Sequence, residues 1–230
     1  SDTTYETARL ADHRVVGGSG GLQYQLTERD QIQLLGSYTD FRTTDSPFLF
    51  RASFPGVNMS LTHAFDESLT GTVYGGPRFL SSTTQISIGS FDANETVWLA
   101  GASMTKQFER ARVQVTFARD LSPGGFGLLI QTNRGEVSGT YDVSETLALG
   151  LNLVGMITTG KAGTAIGVTF AESRYVSVAP KMTWQFLEWW RAEVSYMYRW
   201  RDTDIAISSA ESHATTFMVT YSPPHLSFSH

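Results

Sequence analysis

Polar and apolar residues alternate along almost the whole chain. The clearest stretch is residues 190–200, where Trp190, Ala192, Val194, Tyr196, Tyr198 and Trp200 share one parity and Arg191, Glu193, Ser195, Met197 and Arg199 the other. A strict period of two predicts a strand with two unlike faces. Aromatic rings cap the apolar face at both ends and small apolar residues lie between them, the pattern of the lipid-facing side of a transmembrane strand. A tilted strand of about ten residues crosses a bilayer.

The same alternation recurs from the beginning. In residues 14–26, Val16, Gly18, Gly20, Leu22, Tyr24 and Leu26 oppose Val15, Gly17, Ser19, Gly21, Gln23 and Gln25. Residues 31–41 continue it with Ile32, Leu34, Gly36 and Tyr38, and further strands follow on Val57, Met59, Leu61, His63 and Phe65, then Leu69, Gly71, Val73 and Gly75. Residues 81–95 are rich in Ser and Thr and are expected to form a large loop. Trp98 to Met104, Ala111 to Phe117, and the stripe Leu147, Leu149, Leu151, Leu153 are the next strands. Between the last two, residues 126–141 change apolar phase, which predicts a bulge near Gly135. Ser122-Pro123-Gly124-Gly125 is a turn signal, and residues 158–164 and 201–212 are expected to be loops. Val176 to Phe186 leads into the hairpin at Leu187-Glu188, Pro180 predicts a bulge or imperfect pairing, and Phe217, Val219 and Tyr221 form the last strand.

Large apolar residues precede acidic turns at Leu26-Thr27-Glu28, Phe65-Asp66-Glu67, Phe108-Glu109, Tyr141-Asp142 and Leu187-Glu188. Each pair of successive turns is separated by one hairpin plus one longer connection, so short turns and long loops alternate. The reading is a single domain over residues 1–230, an all-β, antiparallel transmembrane β-barrel of about twelve strands, with residues 3–10 as the twelfth. Ten strands follow if the first segments are a leader, and a larger barrel if the chain is a fragment.

Composition agrees with this. No apolar run is long enough for a spanning helix, and alternating strands average to a near-neutral hydropathy. The absence of cysteine removes disulfides and thiolate metal sites, and a net charge of -5 argues against a nucleic-acid partner. Ser1-Asp2-Thr3-Thr4 lacks the basic start and apolar core of a signal peptide, so the chain is expected to be a mature form or a fragment.

With its alternating strands, aromatic-acidic short turns and closing Phe217-Met218-Val219-Thr220-Tyr221, the chain resembles Gram-negative outer-membrane β-barrels of the porin-like kind. It is similar in style to the barrels associated with exopolysaccharide export. The tail at residues 222–230 departs from the terminal aromatic residue of many such barrels. The resemblance implies residence in the bacterial outer membrane among membrane lipid, and a channel for diffusion or export of small polar or anionic solutes or glycans. It also implies an export partner on the periplasmic side.

Parity assigns Arg112, Lys181, Arg191, Glu193 and Arg199 to the lumen, where they either set a preference for anions or fill the interior as pairs with Glu193 and Asp120. Trp98, Trp184, Trp189, Trp190, Tyr198 and Trp200 are expected to form the membrane girdle. The five histidines have no metal-ligand spacing, and neither a metal nor a cofactor is expected. The chain is not expected to be an enzyme. The alternatives are an outer-membrane hydrolase built on Ser60 with His63 or Ser212 with His213, and a pore-less barrel that docks a partner on residues 81–95. Gly17, Gly18, Gly20 and Gly21 predict sharp bending or close packing.

Overall fold

A computed structural model describes residues 2–3, 13–43, 49–86, 89–123, 129–161, 172–204 and 209–222. Every regular element among them is a strand: β1 (Asp2–Thr3), β2 (His13–Gln25), β3 (Asp30–Thr43), β4 (Leu49–Ser53), β5 (Gly56–Asp66), β6 (Leu69–Ile86) and β7 (Gly89–Gln107). They are followed by β8 (Ala111–Pro123), β9 (Leu129–Asp142), β10 (Leu147–Lys161), β11 (Ser173–Leu187), β12 (Trp190–Thr203) and β13 (Ala210–Tyr221). β4 and β5 both lie between β3 and β6, as two halves of one strand interrupted at Phe54-Pro55. Counted that way, the wall has twelve strands in chain order, each antiparallel to the next. β2 and β13 run in the same direction, so β1, antiparallel to β2, is the strand whose direction allows an all-antiparallel wall to close on β13.

Side-chain oxygens build the short turns. The Thr27 hydroxyl accepts from the Asp30 amide at 3.0 Å, the Asp66 carboxylate from the Ser68 amide at 2.7 Å, and the Ser144 hydroxyl from the Leu147 amide at 3.1 Å. Each meets a donor that the strand ladder leaves over at the bend. The Asp66 carboxylate also accepts from the Ser68 hydroxyl and from Lys106 Nζ. The Ser68 bonds first, and Lys106 after them, hold its carboxyl well below the usual carboxylate range.

Leu22, Tyr24, Leu34, Met59, Leu61, Val73, Val115, Phe117, Leu149, Leu151 and Phe217 are all substantially exposed, and register places them on one continuous face. So much contiguous apolar surface suits lipid, not water. The opposite face carries Gln23, Gln33, Ser60, Thr72, Ser103, Gln114, Ser138 and Asn152 in the same rows.

Several expectations need correction. Residues 81–86 and 89–95 are not a loop: β6 and β7 pair residue for residue from Leu69↔Lys106 to Ile86↔Gly89, and Ser81, Ser82, Thr83 and Thr84 do not break the ladder. Their polarity marks an arm beyond the apolar band, not the end of the strand. No bulge occurs at Gly135, which sits opposite Phe117 and Gly155 in unshifted register. Pro180 leaves a gap in the pairing with β12 but no bulge, since Val178↔Tyr198 and Lys181↔Ser195 share one register. Residues 158–161, 201–203 and 210–212 belong to strands, as does β4. Asp2 and Thr3 pair opposite Arg14 and His13, and of the first strand expected at residues 3–10 the rest lies outside the described residues, as do Gly124, Gly125 and residues 223–230.

Candidate functional site

The alternation that exposes the apolar stripe puts Arg112, Lys181, Arg191, Glu193 and Arg199 together on the polar face. Lys181 on β11 and Arg191 and Arg199 on β12 occupy adjacent strands. Lys181 Nζ lies 3.6 Å from a Glu193 carboxylate oxygen, while Arg112 and Arg191 have no ion pair among the described residues. Arg199 Nε donates to Met197 Sδ at 2.8 Å. The expected pairing with Glu193 is therefore present for Lys181, and none joins these cations to Asp120 among the described residues.

The same face holds charges that the sequence reading did not single out. Arg78, Arg134 and Arg201 project there with Glu95, Asp120 and Glu136. Arg134 pairs with Glu136 at 2.7 Å, Glu136 also accepts from Asn152 Nδ2 at 2.7 Å, Arg201 donates to Ser173 Oγ at 3.1 Å, and Arg78 donates to Ser37 Oγ. Parity along Thr72, Tyr74, Gly76 and Arg78 would have found Arg78 had β6 been carried past Gly75. Among the described residues, cations thus outnumber acids on this face. At its short-turn end a cavity of about 690 Å³ is lined by Arg110, Asp142, Glu145, Thr183, Gln185 and Arg191 among others.

At the opposite end the polar face becomes apolar. Phe41, Phe50, Ala52, Phe54 and Leu80, from β3, the β4 segment and β6, are buried in one cluster with Leu129, and Val15 and Leu121 pack against it. Leu121 and Leu129 have the parity of the exposed stripe on β8 and β9, whereas Phe41 has the parity of the polar face. The two faces meet because β8 leaves β7 above Ala100↔Arg119, although β6 and β7 remain paired to Ile86↔Gly89. Leu121 and Leu129 thus pack against inner-face residues of β3, β4 and β6, and an apolar cluster stands at this end of the polar face.

Of the aromatic residues, Trp184 and Trp190 sit on the exposed stripe at the short-turn end, in a file of rings with Phe186 and Tyr221 whose centroids are 4.8 to 6.5 Å apart. Trp98, Tyr198 and Trp200 lie on the same face toward the long connections, and Trp189 is in the turn. His63 and Ser60 occupy opposite faces, as do His213 and Ser212, so neither predicted Ser/His pair is brought together. His63 Nδ1 instead lies 2.6 Å from Asp30 Oδ1, and His213 Nδ1 is 2.7 Å from Tyr196 Oη.

No protein-family model matches the chain, and no curated protein sequence does. Solved structures do. The outer membrane channel DcaP of Acinetobacter baumannii is 13% identical with a TM-score of 0.59, over 88% of this chain and 61% of that one. The alcaligin outer membrane receptor FauA of Bordetella pertussis is also 13% identical with a TM-score of 0.63, over 94% of this chain and 44% of that one. The chain thus spans less than two thirds of either relative. Its fold is that of the Gram-negative outer-membrane β-barrels, a twelve-stranded antiparallel transmembrane wall with an apolar face toward lipid and a charged face within.

Proposed function

We propose that the chain forms a passive outer-membrane channel for small polar solutes that favours anions, acidic glycans among them. The excess of cations over acids on the polar face carries this reading, with Arg112 and Arg191 unpaired among the described residues. An unpaired cation lining a water-filled lumen raises the local concentration of anions and disfavours cations. Solutes pass by diffusion along Arg112, Lys181, Arg191, Glu193 and Arg199, and no covalent step is involved. The aromatic residues at both ends of the apolar stripe, Trp98, Trp184, Trp189, Trp190, Tyr198 and Trp200, anchor the wall at the two interfaces. The apolar cluster around Phe41 and Leu129 sets the size limit.

The test is the reversal potential of the reconstituted channel in a salt gradient, for the unaltered chain and for Arg191→Glu/Arg199→Glu. The unaltered channel should prefer chloride, and the double variant should lose or invert that preference. An unchanged reversal potential in the variant would overturn the selectivity assignment.

A further inference from the structure

Outside the polar face, the wall at β2–β4 combines two features that its register aligns. Arg14, Arg42 and Arg51 are direct cross-strand partners on the exposed face of β2, β3 and β4. Neighbouring strands are about 4.8 Å apart, so three like charges stand side by side, an arrangement that repels unless an anion answers it. Part of the answer is internal. Buried Asp40 accepts from Arg51 Nε at 3.3 Å and Nη2 at 3.2 Å. At one flank, beyond Thr83, the row ends on Asp92, whose carboxylate accepts from Thr83 Oγ1 at 2.7 Å. Arg42, exposed at the centre, has no hydrogen-bond or ion-pair partner among the described residues.

Below this row, on the same face of β2 and β3 and continuing onto β5 and β6, runs a shallow, open groove of about 610 Å³. Gly18, Gly20 and Gly36 form its floor, and Tyr38, Val57 and Phe79 its sides. A Cβ at Gly18 or Gly20 would meet nothing within 4 Å, so these glycines do not serve close packing. Gly17 and Gly21, on the other face, do: a Cβ there would press on the Tyr38 and Leu34 carbonyls. The open glycines leave the wall recessed where an acyl chain would lie. Four residues separate Gly18 from Arg14, about 13 Å along the strand, and the row stands at the long-connection end, the outer side in barrels of this kind.

We infer that this part of the outer wall is a built site for a phosphate-bearing acylated lipid of the outer leaflet, with its phosphate on Arg42 between Arg14 and Arg51 and one acyl chain in the glycine-floored groove. A guanidinium fork grips phosphate oxygens through paired charge-assisted bonds, and Arg51, the cross-strand partner of Arg42, is already fixed by Asp40. An uncharged lipid satisfies the groove but leaves Arg42 unanswered. A free phosphate does the reverse.

The full chain, refolded in neutral detergent, would be titrated with bis-phosphorylated lipid A and with its dephosphorylated form, and the bound lipid counted by native mass spectrometry. The site predicts roughly tenfold tighter retention of the phosphorylated lipid, a loss of most of that preference in Arg42→Gln, and weaker retention of both forms in Gly20→Leu or Gly18→Leu. Lys106→Gln, at the opposite rim, should change nothing. Equal retention of the two lipids, or an unaltered preference in a folded Arg42→Gln, would overturn the assignment. Displacement of the lipid by millimolar inorganic phosphate would mean a site for the free anion, and would overturn the lipid reading as well.

Discussion

A one-residue step along β8 gives a sharp test of which face meets lipid. Val115 and Gln114 are consecutive, yet Val115 stands 47% exposed between Met104 and Val137 on the apolar stripe, and Gln114 stands between Thr105 and Ser138 on the polar face. Arg119, bonded to Asn133 at 2.7 Å, marks the upper limit of the stripe on this strand, so Val115 is near the middle of the band. An arginine at that depth on the lipid face costs about 2–4 kcal/mol, a factor of roughly 30 to 700 in the folding equilibrium. The same arginine at position 114 reaches lumen water between Thr105 and Ser138, with Arg112 two residues away on the same face, and should cost under about 1 kcal/mol. Urea titrations of Val115→Arg and Gln114→Arg in lipid vesicles, followed by tryptophan fluorescence, would measure both. Equal costs, or a larger cost at position 114, would refute the assignment of faces.

Leu129→Ala should widen the passage at the apolar cluster and raise conductance, at a stability cost of about 2–5 kcal/mol if the packing does not relax; unchanged conductance would show that the cluster does not limit passage. Gly76→Ala should block folding, because a Cβ there would fall on the Val57 carbonyl, and a heat-modifiability gel would show the loss of the compact form. His63→Ala removes a partly exposed hydrogen bond with Asp30 and an edge contact with Phe65, and should leave conductance as it was and stability within about 1 kcal/mol. Asp66 is held below its ordinary carboxylate range, so its bonds stabilise the folded turn at neutral pH and this is lost as pH falls. The difference in urea midpoint between the unaltered chain and Asp66→Asn should be constant above about pH 4 and shrink below it; a difference that persists in acid would contradict that source of stability.

The wall was legible because period-two alternation needs only neighbouring residues. It gave the strands around Leu22, Leu34, Val115 and Leu151 and the common face of Arg112, Lys181, Arg191, Glu193 and Arg199. What it missed depends on contacts between distant strands. The Ser/Thr-rich arms of β6 and β7 look like loop because neither face is apolar, and only their mutual pairing holds them extended. The phase change before Gly135 imitated a bulge, yet the register runs unshifted through it, and the apolar neighbours that bury Leu129 come from distant strands that no local pattern encodes. The glycine cluster was read as uniform, although parity splits it into packed Gly17 and Gly21 and open Gly18 and Gly20.

The most direct test of the channel itself is the current across a planar bilayer holding the purified, refolded chain. The account predicts discrete conductance steps of small size, limited by the apolar cluster at Phe41 and Leu129. An inserted, folded protein that passes no current would contradict it.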